Sequence, residues 1–179
     1  FVPGIRLHMK HAIGHGATAQ EIMEVLELTA TLGIHACNIG VPILFEELEA
    51  AGQPVPTQLS ARQEELKADF TEKRGYWHQF WNEILLLDAD FFEAYTRFSS
   101  VPWVTGTLEP KVKELIYTAF DVSATHLYAP GLRLHIKNAI GYGATKEEIL
   151  EVMELASTIG IHACELGVPI LLEEIEAAG

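Results

Sequence analysis

The chain reads as an all-helical protein, and three observations carry that reading. Apolar residues recur at helical spacing, whereas the alternation of a half-buried strand is scarce. The pattern Thr-x-x-Glu of a helix-opening capping box occurs twice, at Thr18–Glu21 and at Thr145–Glu148. A shift of 127 positions aligns residues 1–52 with residues 128–179 without a gap, 35 of 52 positions being identical. Chance does not give such a match, so the chain holds two copies of one segment.

Taken in order, Ile5, Leu7, Met9 and Ile13 mark a first helix after Pro3 and Gly4, ending near Gly14 and Gly16. The Thr18 box opens a second helix that turns Ile22, Val25, Leu26 and Leu28 inward. Gly33 marks a joint, and a third helix runs through Val41 to Glu49. Gln53 to Thr57, with two prolines, is the clearest linker. Ser60 caps a charged helix to about Lys73. Tyr76, Trp77, Phe80 and Trp81 sit at i,i+4 spacing and predict a helix through Leu87 whose aromatic face packs into a core or against a subunit. Asp90 to Phe98 predicts a further helix. Pro110 suits the first turn of a helix reaching about Thr125, and Pro130 with Gly131 breaks the chain before the helix that holds His135. Short connections make the fold antiparallel.

The expected organisation is residues 1–52 as the rear part of a first repeat and residues 53–179 as a complete second repeat. The front of the first repeat is expected upstream of Phe1, the chain not starting with Met, or else from another chain. The formal charge of −13 and pI near 4.9 oppose the basic surface that nucleic acid requires, and equally an anionic membrane. No apolar run approaches the roughly 20 residues of a membrane span. Cys37 and Cys164, the only two cysteines, occupy equivalent places and predict reduced thiols in a cytoplasmic protein.

Histidine dominates the residues that could carry chemistry. His8 pairs with His135 across the repeat, and His35 with His162. His8, His11 and His15 fall on one helix face and are weak candidates for a metal site. The second copy has Asn138 and Tyr142 at the last two places. No cofactor is expected. His35 and Cys37, two apart on a helix, point nearly opposite ways and make a poor ligand pair.

The stretch PKVKELIYTAFDVSATHLYAPGLRLHIKNAIGYGATKEEI, starting at Pro110, carries a family resemblance. A Glu-Leu pair early in one helix, a break, a histidine in the next helix and then Gly-Ala-Thr-x-x-Glu-Ile resemble the carboxymuconolactone decarboxylase family and its alkylhydroperoxidase-D-like relatives. The resemblance covers residues 85–179, and residues 1–50 as the tail of another copy. It implies an antiparallel alkylhydroperoxidase-D-like helical fold in two repeats. The redox relatives carry Cys-x-x-Cys-x-x-x-His with a glutamate twelve residues before the first cysteine. Counted back from His135, those cysteine places hold Tyr128 and Gly131; counted forward from Glu114, the first holds His126. Neither count finds a thiol pair, so attack on peroxide with a resolving thiol is not expected here.

The decarboxylase branch needs no thiols. There His135 and His126 are the acid/base candidates, since imidazole titrates near neutral pH. Glu114 would orient a histidine or act as a second acid, Tyr128 would hydrogen-bond a developing enolate, and Arg133 would hold a substrate carboxylate. Helical geometry puts Glu114 with Thr118, Asp121 and Thr125 on a polar face, expected to be solvated unless copies meet there. The implied substrate is a small carboxylate such as a carboxylated lactone from aromatic degradation. The implied assembly is a homo-oligomer, a trimer of pseudo-dimers. A peroxidase and a non-catalytic binding or assembly protein remain the alternatives.

Overall fold

The computed structural model describes residues 1–178, and every regular element among them is helical. Eleven α-helices follow in order: α1 Val2–Gly14, α2 Ala19–Ala30, α3 His35–Ala50, α4 Ala61–Arg74, α5 Trp81–Leu87, α6 Ala89–Ser99, α7 Val101–Val104, α8 Pro110–Val122, α9 Ala129–Gly141, α10 Lys146–Thr158 and α11 His162–Ala178. The duplicated segments repeat their elements as well as their residues. α1, α2 and α3 reappear, shifted by 127, as α9, α10 and α11, and the Gly33 and Gly160 joints are both short 3-10 turns.

Those turns do not interrupt the helical path. Ala19–Ala50 and Lys146–Ala178 therefore run on as stretches of 32 and 33 residues, long and apolar enough by length and composition to cross a membrane. The joint expected at Gly33 is present as a 3-10 turn, and the length of these stretches goes against the expectation that nothing in the chain approaches a membrane span. Leu28, Ile34, Cys37 and Val41 of the first stretch are buried or packed against protein, whereas Met23, Leu26, Ile39, Ile43 and Leu44 are exposed.

The chain divides into two compact units, Met23–Leu108 and Phe1–Ile22 with Glu109–Gly179. The division interleaves the two repeats, because a compact body gathers whatever packs together rather than what was copied together. In the Met23–Leu108 unit, α5 packs on α3 and α6, and α4 packs on α6 and α7. Its core is Ile34, Phe70, Trp81, Ile84, Leu85 and Phe92, with Cys37 and Val41 from α3 laid against it. Phe70 meets Trp77 edge-on at 5.6 Å and lies 5.3 Å from Trp81, so the aromatic cluster is core, as expected. Its local structure differs from expectation. Residues 76–80 are irregular and helix begins only at Trp81. The rings converge from a loop and a helix rather than from one helix face. Ser60 and Gln63 close a capping box on α4, and Gly75 ends it at φ 78°, a left-handed position that glycine fills without strain. The buried Glu24 of α2 accepts hydrogen bonds from the N–H groups of Thr107 and Leu108 at 2.7 and 3.0 Å, fixing the loop that follows α7.

In the other unit, α8 packs along α9 and across α10. Ala139, Ala144 and Ile149 form a buried apolar cluster in it, joined by Leu115, Ile136 and Met153. Thr145 and Glu148 close the expected capping box on α10, and Glu148 also takes a 2.8 Å ion pair from Lys111 of α8. That pair holds the Glu148 carboxyl below its ordinary range. From Ala163 to Ala178 every residue of α11 is exposed.

Candidate functional site

α8 and α9 position the site. α8 opens on Pro110 and stops at Val122, three residues short of the sequence expectation. Leu127 takes a left-handed backbone at φ 48°, which turns the chain so that the Tyr128 N–H donates to the Asp121 carbonyl at 2.8 Å. Pro130 does not break the chain there. It lies in the first turn of α9, where its missing N–H costs nothing. The reversal lays α9 back along α8.

Glu114, Thr118 and Asp121 then form a stripe at i, i+4 and i+7 on α8 that is almost wholly removed from solvent. This overturns the expectation that the polar face of α8 is solvated. The face with Val112, Leu115, Ile116 and Ala119 is the more open one; together with α10 it lines an apolar groove of about 310 Å3. The polar face turns inward because α9 brings it partners. His135 Nδ1 lies 2.6 Å from Glu114 Oε2, and Asn138 donates through Nδ2 to Glu114 Oε1 at 3.1 Å. Thr118 returns its hydroxyl to the Glu114 carbonyl at 2.9 Å. The Tyr117 ring covers the imidazole with centroids 4.6 Å apart.

With the Glu114 carboxylate accepting at Nδ1, the neutral imidazole carries its proton there, and Nε2 is left as the reactive nitrogen. Nε2 lies 4.0 Å from Asp121 Oδ2, too far for a direct hydrogen bond but close enough for one small group to bridge. Burial pushes the Asp121 carboxyl up to about 6; His135 pulls it down and the Glu114 charge pushes it up further. Gly131 lies against this carboxylate. A Cβ there would overlap Asp121 Oδ2 and come within 2.7 Å of the Tyr128 ring, so only glycine lets α9 approach so closely.

The structure thus brings together two of the sequence candidates, Glu114 and His135. Tyr128 is buried at the start of α9 beside Gly131. His126 is half-buried in the turn between α8 and α9, its ring 6.1 Å from that of Tyr128. Arg133 is exposed on α9, two residues from His135 and so about 200° around the helix from it. His8, His11 and His15 are exposed, and they form no three-ligand cluster among the described residues. Sequence reasoning missed Asp121, Asn138 and Tyr117 as members of the site. The available signal was spacing: Asp121 lies seven residues after Glu114, and Asn138 three after His135.

A buried carboxylate–imidazole pair with a second, near-neutral carboxyl facing the free nitrogen defines an acid/base site on a helical hairpin. The sequence model of the carboxymuconolactone decarboxylase family matches residues 89–163, which span that hairpin. The crystal structure of a protein from Burkholderia xenovorans LB400, provisionally assigned as a gamma-carboxymuconolactone decarboxylase subunit, superposes with a TM-score of 0.95 at 53% sequence identity. The match covers 99% of this chain and 72% of that one. No curated protein matches the chain. The chain belongs to the carboxymuconolactone decarboxylase family.

Proposed function

We propose that the protein is a lyase of the decarboxylase type, acting on a small carboxylate by acid/base chemistry at His135. The observation that carries the reading is the Glu114–His135 pair with Asp121 opposite Nε2. Glu114 positions the ring, and Nε2, once protonated, delivers that proton to the carbon whose bond to the leaving carboxylate breaks, carbon dioxide departing without that electron pair. Asp121, 4.0 Å from Nε2, is placed to return a proton to it through one bridging water or substrate oxygen. Tyr128 and His126, at the same end of the hairpin, are suited to contact substrate oxygen, and Arg133 to meet a carboxylate outside. The family supports a carboxylated lactone as substrate, and neither place of the redox motif holds a cysteine.

A soluble cytoplasmic homo-oligomer, a trimer of pseudo-dimers, fits the acidic charge. It also fits the exposed apolar residues Met23, Leu26, Ile39, Ile43 and Leu44. The direct test is turnover of carboxylated lactones by the protein and by His135→Ala. Loss of about 100-fold or more in kcat is expected. Unchanged turnover refutes the assignment, and peroxide turnover abolished by Cys164→Ser would favour a thiol peroxidase instead.

A further inference from the structure

Glu114 is fully buried, and each of its two carboxyl oxygens meets one side chain of α9. Oε2 meets His135 Nδ1 at 2.6 Å, and Oε1 accepts from Asn138 Nδ2 at 3.1 Å. His135 and Asn138 are three residues apart, so both come from one face of α9. Among the described residues His135 is the one ion-pair partner of Glu114. With the carboxylate accepting at Nδ1, an amide turned to put Oδ1 on Oε1 would set two acceptors against each other, so Asn138 presents Nδ2. The proposed chemistry uses the imidazole and leaves this amide contact without a task.

We infer that Asn138 is a positioning residue of the site, whose amide N–H keeps the proton of the Glu114–His135 pair on the imidazole and so makes Nε2 the acid. The place of the proton stands on hydrogen bonding alone, and its use in catalysis rests on the proposed function. A proton added to the pair can be housed in two ways. Either Glu114 stays a carboxylate beside an imidazolium, or it becomes a carboxylic acid that donates through Oε2 to Nδ1 of a neutral ring protonated at Nε2. The two states hold the same number of protons and differ in the place of one. Only the imidazolium is a proton source near neutral pH. The Asn138 N–H discriminates between the states. A hydrogen bond to an ionised oxygen is roughly twice as strong as one to a neutral oxygen, so donation to Oε1 stabilises the carboxylate more than the acid. Without it, Oε1 would be a charged acceptor with no donor in a dry interior, and the carboxylic acid escapes that penalty. The other groups around the pair do not replace the amide. Asp121 lies on the Nε2 side, 4.0 Å away. Thr118 gives its hydroxyl to the Glu114 carbonyl, and Tyr117 meets the imidazole ring to ring. Lys113 precedes Glu114 and projects about 100° around α8 from it. On α10, which packs on α8, Glu148 is engaged by Lys111. In the first copy His11 stands at the place of Asn138, a side chain that can also donate.

The test is Asn138→Leu, which replaces Oδ1 and Nδ2 by two methyl groups and suits a helix. Asn138 is half-buried, which leaves the leucine room. Nitrogen-15 NMR of the imidazole rings, with His135 assigned by its absence from His135→Ala, reads which ring nitrogen carries a proton at each pH and needs no turnover. In the parent Nδ1 should stay protonated from about pH 5 to 8, Nε2 gaining its proton as the pH falls. In Asn138→Leu the acid side of that range should show Nε2 protonated and Nδ1 bare. Asn138→His should return the proton to Nδ1. In turnover of carboxylated lactones, Asn138→Leu should lower kcat about tenfold or more with KM within about twofold. The same ring states in the parent and in Asn138→Leu overturn the inference whether or not kcat falls, because a merely structural role lowers kcat without moving the proton. Asn138→His with the ring states of Asn138→Leu overturns it too, and so does a displaced proton with kcat unchanged. A displaced proton with no turnover by any chain, the parent included, refutes the proposed function and upholds the hold of Asn138 on the proton.

Discussion

Asp121→Asn should stabilise the protein at neutral pH, and the size of the effect follows from the burial of that carboxyl. Its folded value of about 6 stands above the ordinary 3.8. Between those values the native state holds a proton that the unfolded chain has released, so stability falls as pH rises through this window. Below about pH 4 both states are protonated and no penalty exists. Above about pH 6 the penalty is complete, a little over two pH units or on the order of 3 kcal/mol. The amide carries no charge to desolvate and cannot titrate. The stability difference between Asp121→Asn and the parent should therefore grow by up to about 3 kcal/mol in favour of the variant from pH 4 to pH 7.5, most of it between pH 4 and 6. Urea unfolding at half-unit pH steps, followed by far-UV circular dichroism, measures it. A difference that stays flat across this range, or that turns against the variant above pH 6, refutes the reasoning.

The same variant should lose turnover and the limb of its pH–rate profile near 6 together, which steady-state kinetics would record. Glu114→Gln keeps the shape of the buried pair but removes its charge, and a fall of about 10-fold or more in kcat with the helical spectrum intact is expected. Gly131→Ala should cost about 1–3 kcal/mol in denaturant unfolding, from overlap with Asp121 and Tyr128. The equivalent Gly4→Ala meets only the movable rings of Phe1 and His162 and should be neutral or gain up to about 1 kcal/mol from helix propensity. Glu24→Ala should cost about 2–4 kcal/mol by stranding two amides, and Glu151→Ala in the 179-residue chain should stay within about 0.5 kcal/mol.

Helical class, the repeat, both capping boxes and most helix spans were legible because each rests on local chemistry: apolar period, side-chain caps and glycine ends. What failed were judgements that needed a partner. Tyr76 to Phe80 have helical spacing, yet the rings are drawn into a core built by Phe70 and Phe92, and the backbone follows them out of helix. Pro130 resembles a breaker until the turn at Leu127 places it at the start of α9. Glu114 was legible as a candidate through the resemblance, but its burial was not. A glutamate, a threonine and an aspartate on one face read as a solvated stripe until α9 brings His135 and Asn138 against it.

That stripe also bears on what the duplication preserved. A single copied segment of 52 residues carries the histidine and the close-approach glycine, but not the carboxylates, which lie on α8 in the segment between the copies. The half with the imidazole can therefore stay nearly unchanged while its chemistry depends on which front helix lies against it. With α8 in place, Nε2 of His135 faces a carboxyl that titrates near 6 and its Nδ1 is held by another. At His8 the imidazole is exposed, and its reactive nitrogen is fixed by no carboxylate of α8. The candidate site is thus built by the pairing of α8 with the helix that follows the left-handed turn. Exchanging that turn, for instance Leu127→Gly, tests the claim. Glycine removes the strain of a leucine at φ 48°, worth about 1 kcal/mol of stability. If the turn's geometry is what fixes Glu114 on His135, Leu127→Gly should raise the unfolding midpoint and leave kcat within twofold. A loss of kcat with raised stability would mean that the leucine side chain itself serves the site.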